Sequence, residues 1–332
     1  MRSEQSSIKI AAMKRVLIGS VVIMAIKTST YFLTHSNAVL TDALESIINI
    51  VTGAFALYSL HYASKPKDAN HPYGHGKIEL LSAGFEGGLI CITGVLIIAK
   101  SIYGFFKPIQ IHSLDIAAVL SLLAGGANYL MGKYLIKLGK QHQSVVMTAD
   151  GKHLIADTIS SIGLVVGLLV IHLTGLLWLD HAIAIIFGLF ILYTGYQLLK
   201  QSINGLLDEA DYYNLKKLIW ILNKNRKQKW IDMHNLRVLK YGHTLHIDAH
   251  ITLPWYDNLE DTHHEVIAVE NLLKEQLHED IEFFIHSDPC IPTSCGICSI
   301  VDCKYRHAAF EKRLEWTLEN LLPNKKHAVQ ET

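Results

Sequence analysis

The chain has 332 residues, of which 50% are hydrophobic, and its formal net charge is zero. The balanced charge gives no sign of a polyanionic partner such as a nucleic acid, and the apolar content is high for a soluble protein. Apolar residues are concentrated before about residue 200. The sequence therefore predicts a membrane-embedded first part and a charged, globular second part.

Six apolar stretches follow a polar N-terminal lead, residues 1–14. They lie near 15–34, 38–62, 78–105, 114–138, 147–172 and 177–200. A helix of about 20 residues crosses the roughly 30 Å of hydrocarbon in a bilayer. Buried helices of a soluble protein are the alternative, but six such stretches in succession favour six transmembrane helices within residues 15–205.

Basic residues predict the orientation of these spans. Three lysines lie between the second and third spans, and three more between the fourth and fifth: Lys65, Lys67, Lys77, Lys133, Lys137 and Lys140. The positive-inside rule places these loops and both termini in the cytoplasm. The first span is followed by no small-residue cleavage site, so we interpret it as retained. The lack of targeting signals favours a prokaryotic plasma membrane.

Beyond residue 206 the pattern is that of a cytoplasmic α+β domain, residues 206–289. Helices are predicted at 211–225 and 258–277, and strands at 231–240, 244–253 and 281–286. The order α-β-β-α-β indicates one small layered domain. Residues 290–332 form a cysteine-rich extension, with a closing amphipathic helix predicted near 307–322 and a polar, mobile tail after it.

Two pairs of polar residues interrupt the apolar stretches at helical spacing. Glu45 and Asn49 lie four residues apart on the second span, and His153 and Asp157 on the fifth. Residues four apart share one face of a helix, so two facing pairs would surround one point. Polar side chains inside a membrane usually mark an ion or proton path. The alternative is that Glu45 and Asn49 only hydrogen-bond between helices.

Four of the five cysteines form one cluster with the spacing Cys-x4-Cys-x2-Cys-x4-Cys. They are Cys290, Cys295, Cys298 and Cys303. Four thiolates can close a tetrahedral zinc site. An iron–sulfur cluster, a redox thiol pair and thiols without metal remain the alternatives.

The run Asp-Ala-Asn-His-Pro-Tyr-Gly-His-Gly-Lys at 68–77, together with the two helical pairs, gives a specific resemblance. The chain resembles the cation diffusion facilitator family of divalent-metal/proton antiporters over about residues 15–290. The resemblance implies six transmembrane helices, a cytoplasmic ferredoxin-like (metallochaperone-like) domain and a homodimer.

The resemblance also implies a transport site formed by the two pairs. By position its ligands are Glu45, Asn49, His153 and Asp157, with Asp42 as a relay or a network cap. The family more often has Asp or His at the first position and Asp at the second. Mixed nitrogen and oxygen ligands suit zinc first, with Fe, Co, Ni, Mn or Cd as alternatives.

Two further metal sites are implied outside the spans. A loop site matches Asp68, His71 and His75, for which a turn shaped by Pro and Gly is the alternative. A binuclear site near the dimer interface matches His234, His250, His263, His286 and Asp288. His264 competes with His263 for its position, and polar strand faces also carry histidines without metal. Glu86, on the third span, is expected to hydrogen-bond between helices.

The sequence thus predicts a homodimeric secondary transporter, not an enzyme, that exports a divalent transition metal from the cytoplasm in exchange for protons. Its expected partners are membrane lipid, metal cations and protons, with no nucleic acid. Divalent metal, zinc first, is expected as substrate and as structural or regulatory ion, and no organic cofactor is expected. The rival hypothesis is a membrane-anchored metal sensor or redox protein that acts through the cysteine-rich domain.

Overall fold

A computed structural model describes residues 2–34, 37–104, 114–174, 178–241, 244–277 and 280–328. The chain divides into two compact units, Met1–Leu207 and Asp208–Thr332.

The described part of the first unit contains six long helices, one at each predicted apolar stretch. They are α1 (Arg2–Thr34), α2 (Asn37–Ala63), α3 (Ile78–Gly104), α4 (Leu114–Gln141), α5 (Val145–Thr174) and α6 (Trp178–Leu206). Within the described residues, one helix, α3, is by itself long and apolar enough to cross a membrane.

The N-terminal lead is not a separate segment, because α1 already begins at Arg2. Ala12, Met13 and Val16 are buried in the same apolar cluster as Leu135 of α4. Lys9 is only 2% exposed, and its ammonium lies 3.7 Å from Glu79 Oε1 on α3. These contacts explain why the polar stretch before the first apolar run is helical and packed.

Close backbone contact between α4 and α5 positions the fifth helix. A Cβ atom at Gly132 would lie 2.8 Å from the carbonyl oxygen of Gly151. A Cβ atom at Gly151 would likewise lie 2.8 Å from the carbonyl oxygen of Gly132. Small residues let membrane helices approach in this way. Gly151 lies two residues before His153, so this contact fixes the start of the polar face of α5.

The second unit has the predicted α-β-β-α-β order. Its elements are α7 (Tyr212–Asn225), β1 (Asp232–Tyr241), β2 (Thr244–Leu253), α8 (Leu259–Leu277) and β3 (Asp280–Pro289). The sheet order is β1-β2-β3, antiparallel between β1 and β2 and parallel between β2 and β3. Leu245, Ile247 and Ala249 alternate along β2 and are buried in the core of this unit, as the period-two pattern predicts.

The predicted closing helix over 307–322 is wrong. Only the short helix α9 (Leu318–Leu321) forms there, and residues 307–317 have no helix. Side chains from elsewhere satisfy the backbone instead: Trp316 N donates to Asn223 Oδ1 at 3.1 Å, and Asn223 Nδ2 donates to Trp316 O at 2.7 Å. Such side-chain bonds compete with helical ones. We call residues 307–317 the extended segment.

The tail beyond it is also held more firmly than predicted. His327 N donates to Asp232 Oδ2 at 2.9 Å, and Lys326 Nζ donates to Pro289 O at 3.1 Å. Residues up to 328 are described, so the predicted mobility of 329–332 lies outside the described residues.

Candidate metal centres

Three of the four predicted transport-site side chains meet between α2 and α5. Asn49 Nδ2 donates a hydrogen bond to Asp157 Oδ2. His153 Nε2 lies 2.8 Å from Asn49 Oδ1 and 3.8 Å from Asp157 Oδ1. The side chains of Glu45 and Asp42 lie outside the described residues. The arrangement offers an imidazole nitrogen, an amide oxygen and a carboxylate around one point.

The Asn49 amide also determines where a proton sits. Its NH2 group faces the Asp157 carboxylate, so its oxygen faces His153. An amide oxygen only accepts hydrogen bonds, and His153 Nε2 must therefore carry a hydrogen. The ring is only 4% exposed, and its Nδ1 has no hydrogen-bond partner within the described part of the chain. A metal that binds Nε2 has to displace that hydrogen.

A buried pair of carboxyl groups lies next to this cluster. Glu86 of α3 and Asp150 of α5 are 1% and 4% exposed, and their charges interact with each other and with that of Asp157. The two carboxyls interact as loosely placed hydrogen-bond partners, and neither oxygen of Glu86 has a hydrogen bond of ordinary geometry among the described residues. A buried polar group without a partner is costly. Sequence reasoning underrated Glu86 and passed over Asp150, although each is an acidic residue in an apolar stretch, which is itself a functional signal.

The loop between α2 and α3 brings its three predicted ligands together. His71 Nδ1 lies 3.1 Å from Asp68 Oδ1, and His75 Nε2 lies 3.3 Å from Asp68 Oδ2. The ligand atoms all lie within 4.8 Å of one another. The His71 backbone N–H donates to Asp68 Oδ1 at 2.7 Å, which lowers the pKa of that carboxyl. Gly74 closes the loop at φ +90°, a conformation that favours glycine.

The three strands of the second unit supply a third cluster. Cross-strand register places His234, His250 and His286 side by side. Asp288 Oδ2 lies 3.3 Å from both His234 Nε2 and His250 Nδ1, and Asp288 Oδ1 lies 3.5 Å from His286 Nδ1. Four of the five predicted ligands therefore converge. The group within 4.8 Å consists of His234, His250 and Asp288, and His286 adjoins it through Asp288. The fifth predicted ligand, His263, lies on α8 with an exposed side chain and is outside that group.

Sequence reasoning missed two residues beside this third cluster. The carboxylate of Asp232 lies 3.6 Å from His234 Nδ1 and 2.7 Å from His327 Nδ1. Burial would raise the pKa of Asp232, but the nearby His234 ring and the hydrogen bonds from His327 outweigh burial and hold the pKa at about 2. The hydrogen bond to Asp232 raises the pKa of His327. No local pattern marks a histidine in a polar tail as a partner of a strand residue 95 positions earlier.

The cysteine cluster folds around a single pocket. Cys290, Cys295, Cys298 and Cys303 all line it, and all four are free thiols. Among the described residues, two groups of three side chains have their ligand atoms within 4.8 Å of one another, and these are the loop and strand clusters. No three of the four cysteine sulfurs therefore lie that close together.

A bundle of long apolar helices with a buried ligand cluster, followed by an α+β domain with a histidine cluster, is the arrangement expected of a membrane transporter of metal cations. The family model described as the cation efflux transmembrane domain matches residues 13–207. The model described as the cation efflux protein cytoplasmic domain matches residues 215–290. The chain belongs to the cation diffusion facilitator family, and it is a transporter and not an enzyme.

Similar proteins agree with this assignment. The manganese efflux system protein MneP of Bacillus subtilis is 26% identical over 86% of this chain and 97% of its own length. The metal cation efflux system protein CzcD of Cupriavidus metallidurans is 30% identical over 56% of this chain and 60% of its own length. An uncharacterized transporter of Synechocystis is 29% identical over 76% of this chain and 82% of its own length. The predicted family resemblance and the prediction of divalent metal efflux are confirmed, and dimerisation is a property of the family's cytoplasmic domain.

Proposed function

We propose that this protein exports a divalent transition metal from the cytoplasm in exchange for protons. It works as a homodimer with six membrane spans and both termini in the cytoplasm of a prokaryotic cell. The observation that carries this proposal is the contact of Asn49 with both His153 and Asp157 across α2 and α5. Glu45, one turn before Asn49, completes the ligand set, and Asp42 relays the ion.

The exchange follows from the hydrogen bonds in the cluster. When His153 is protonated on both ring nitrogens, Nε2 donates to Asn49; when the Nε2 proton leaves, the hydrogen on Nδ1 stays and Nε2 can bind a cation. Metal and proton therefore compete for one atom, and metal binding releases a proton. Imidazole is the side chain that changes protonation most readily near neutral pH, so His153 carries the exchanged proton. When the helices open to the other side, protonation of His153 expels the metal.

The ligands favour zinc without excluding harder cations. Two carboxylates, from Asp157 and Glu45, balance the charge of one divalent ion. Imidazole suits zinc, iron, cobalt and nickel, whereas carboxylate and amide oxygens also suit manganese. MneP is named as a manganese efflux protein. Zinc is our first candidate, and manganese is the alternative that the oxygen-rich ligand set supports.

The loop and strand clusters are proposed to bind metal from the cytoplasm. Asp68, His71 and His75 form one site; the strand histidines with Asp288 form the other, to which His263 adds only after a side-chain rearrangement. Both have carboxylate and imidazole ligands within the spacing that one ion spans. Metal at the strand cluster favours the dimer. A loss of metal-dependent self-association in His250→Ala, with an unchanged dimer in Glu275→Ala at an exposed position of α8, is the expected result.

Flux into proteoliposomes tests the central proposal. A pH gradient is imposed and zinc, manganese, iron, cobalt, nickel and cadmium are each offered in turn. We expect gradient-dependent uptake of one or two of these metals, lost in Asp157→Ala and retained in Ser160→Ala on the same helix. Full transport by Asp157→Ala would refute the site. No flux of any metal, from folded dimers, would favour the rival sensor or redox protein with its four free thiols.

A further inference from the structure

The thiol pocket lies where the family assignment ends. The cytoplasmic-domain match stops at residue 290, and the first of the four cysteines is Cys290. All four thiols face one pocket, whose wall includes Trp255, Tyr256 and Tyr305. The other three cysteines lie close enough to Cys290 to affect the ionisation of its thiol. The cluster is thus a single group of four sulfurs that the transport function leaves unused.

The backbone around the middle pair has the turn that thiolate metal sites use. A short 3-10 helix (Pro292–Gly296) leads into it, and Cys298 N donates to Cys295 O at 3.3 Å. His307 N donates to Cys295 Sγ at 3.4 Å. Hydrogen bonds from outside the ligand shell orient metal ligands and are a regular part of such sites.

Arg306 closes this turn from the other side. Its guanidinium donates to the carbonyl oxygens of Cys295 and Cys298, each at 3.0 Å, and of Ile300 at 2.6 Å. Four thiolates around one divalent cation carry a net charge of −2. A guanidinium is always charged, so Arg306 places a permanent positive charge beside the sulfurs and offsets part of that excess.

The apolar contacts of this region are too few to fold it alone. The buried residues of its cluster are Ile231, Ile297 and Cys298, with Ile300 and Leu314 packed against them. From residue 290 to residue 317 the only regular element is the five-residue 3-10 helix. Small segments without a sufficient core are usually held by disulfides or a metal. Here the four cysteines are not in disulfides.

We propose that Cys290, Cys295, Cys298 and Cys303 bind one structural zinc ion as four thiolates. Tetrahedral ligation places the sulfurs roughly 3.8 Å apart. The thiols turn inward about their Cα–Cβ bonds when the ion binds, and each one that binds releases its proton to solvent. The ligands are thiolates only, so the site is distinct from the nitrogen- and oxygen-ligated clusters.

The zinc ion fixes the extended segment to the domain. Gly296 O, inside the Cys-x2-Cys turn, accepts from Glu311 N at 2.9 Å and from Lys312 N at 3.2 Å. Leu314 then packs on the thiol pocket's apolar cluster, and Trp316 is buried in the core of the α+β unit. Loss of the ion loosens the turn around Gly296 and therefore weakens the hydrogen bonds that attach the extended segment to it.

Cobalt substitution of the purified full-length protein tests the ligation. Thiolate-to-cobalt charge-transfer absorption reports sulfur ligands, and the histidine and carboxylate clusters give none. We expect the band to saturate at one cobalt per chain, to disappear when zinc is added, to be lost in Cys295→Ser and to persist in Cys91→Ser. No band in the wild-type protein, or an unchanged band in Cys295→Ser, would overturn the proposal.

A second variant and a second readout cover the case in which Cys295→Ser does not fold. Cys303→His keeps four ligands and is expected to bind cobalt with a weaker thiolate band. Trypsin is expected to cleave the wild-type protein after Lys312 and Arg313 at least tenfold faster once zinc has been removed with a chelator than in the zinc-loaded state. Equal cleavage rates, or iron with inorganic sulfide in the purified protein, would refute the zinc site. Neither readout depends on transport, so failure here leaves the proposed efflux untouched.

Discussion

Arg226 is predicted to hold the extended segment on the α+β unit. Its guanidinium donates to Trp230 O at 2.9 Å and to the carbonyl oxygens of Ile231 and Leu314, and it lies 3.9 Å from the ring centre of Trp316. Burial, with a smaller contribution from the nearby Arg313 charge, lowers the pKa of Arg226 to about 10. The side chain therefore stays charged at neutral pH.

The substitution Arg226→Met keeps most of the aliphatic volume and removes these polar contacts. Two of them reach the segment: the hydrogen bond to Leu314 and the stacking on Trp316. A charged hydrogen bond contributes about 1.5–3 kcal/mol, and a partly buried cation–π contact about 0.5–2 kcal/mol. We expect the free energy of opening the segment to fall by about 3 kcal/mol, a factor of about 150 in its opening constant.

Hydrogen exchange measured by mass spectrometry on the full-length protein checks this value. Peptides that cover 314–322 should exchange about two orders of magnitude faster in Arg226→Met, while peptides from β2 should not change. Arg237→Met, at an exposed position on β1, is the matched control. Unchanged exchange at 314–322 would refute the role of Arg226, and equal acceleration in β2 would show global destabilisation instead.

Three further predictions concern the metal clusters. Asn49→Asp adds a carboxylate next to His153 and should tighten metal binding at least about tenfold in a competition titration; an unchanged Kd would indicate a packing role. Glu86→Gln removes a buried acid that lies beside two other acids, Asp150 and Asp157, so the melting temperature should rise by about 2–4 °C while flux falls; unimpaired flux would contradict a transport role. The raised pKa of His327 means that its contact with ionised Asp232 stabilises the tail fully below pH about 6.5 and less as the pH rises through the raised value. Hydrogen exchange of the tail should show this pH dependence, and His327→Ala should abolish it.

Local patterns predicted most of the secondary structure. The period-two alternation along β2 and the amphipathic spacing of α7 both reflect burial of one face, and both elements formed as predicted. The extended segment shows where local patterns fail. Phe310, Leu314 and Leu318 have helical spacing, but Asn223 and Arg226 satisfy the backbone of this region from a distance. Such tertiary hydrogen bonds have no local signature.

The sequence predicted which side chains form the candidate transport site but not how they are oriented or which neighbours they contact. Helical spacing placed His153 and Asp157 on one face, and polarity in an apolar stretch marked them as functional. The orientation of the Asn49 amide, and the approach of Glu86 to Asp150, depend on how α2 and α3 pack against α5. Packing between helices is not encoded in the spacing along any one of them.

The orientation of Asn49 has a consequence for the proposed exchange. An aspartate at this position would face the Asp157 carboxylate at hydrogen-bonding distance, and two like charges so close would hold a shared proton. The Asn49 amide supplies that hydrogen covalently, and an amide hydrogen does not leave when metal binds. The substitution therefore removes one exchangeable proton from the cluster and leaves the one on His153 Nε2. On the proposed function, this transporter releases fewer protons per metal ion than a relative with aspartate at position 49. The substitution Asn49→Asp should therefore increase the number of protons released per metal ion.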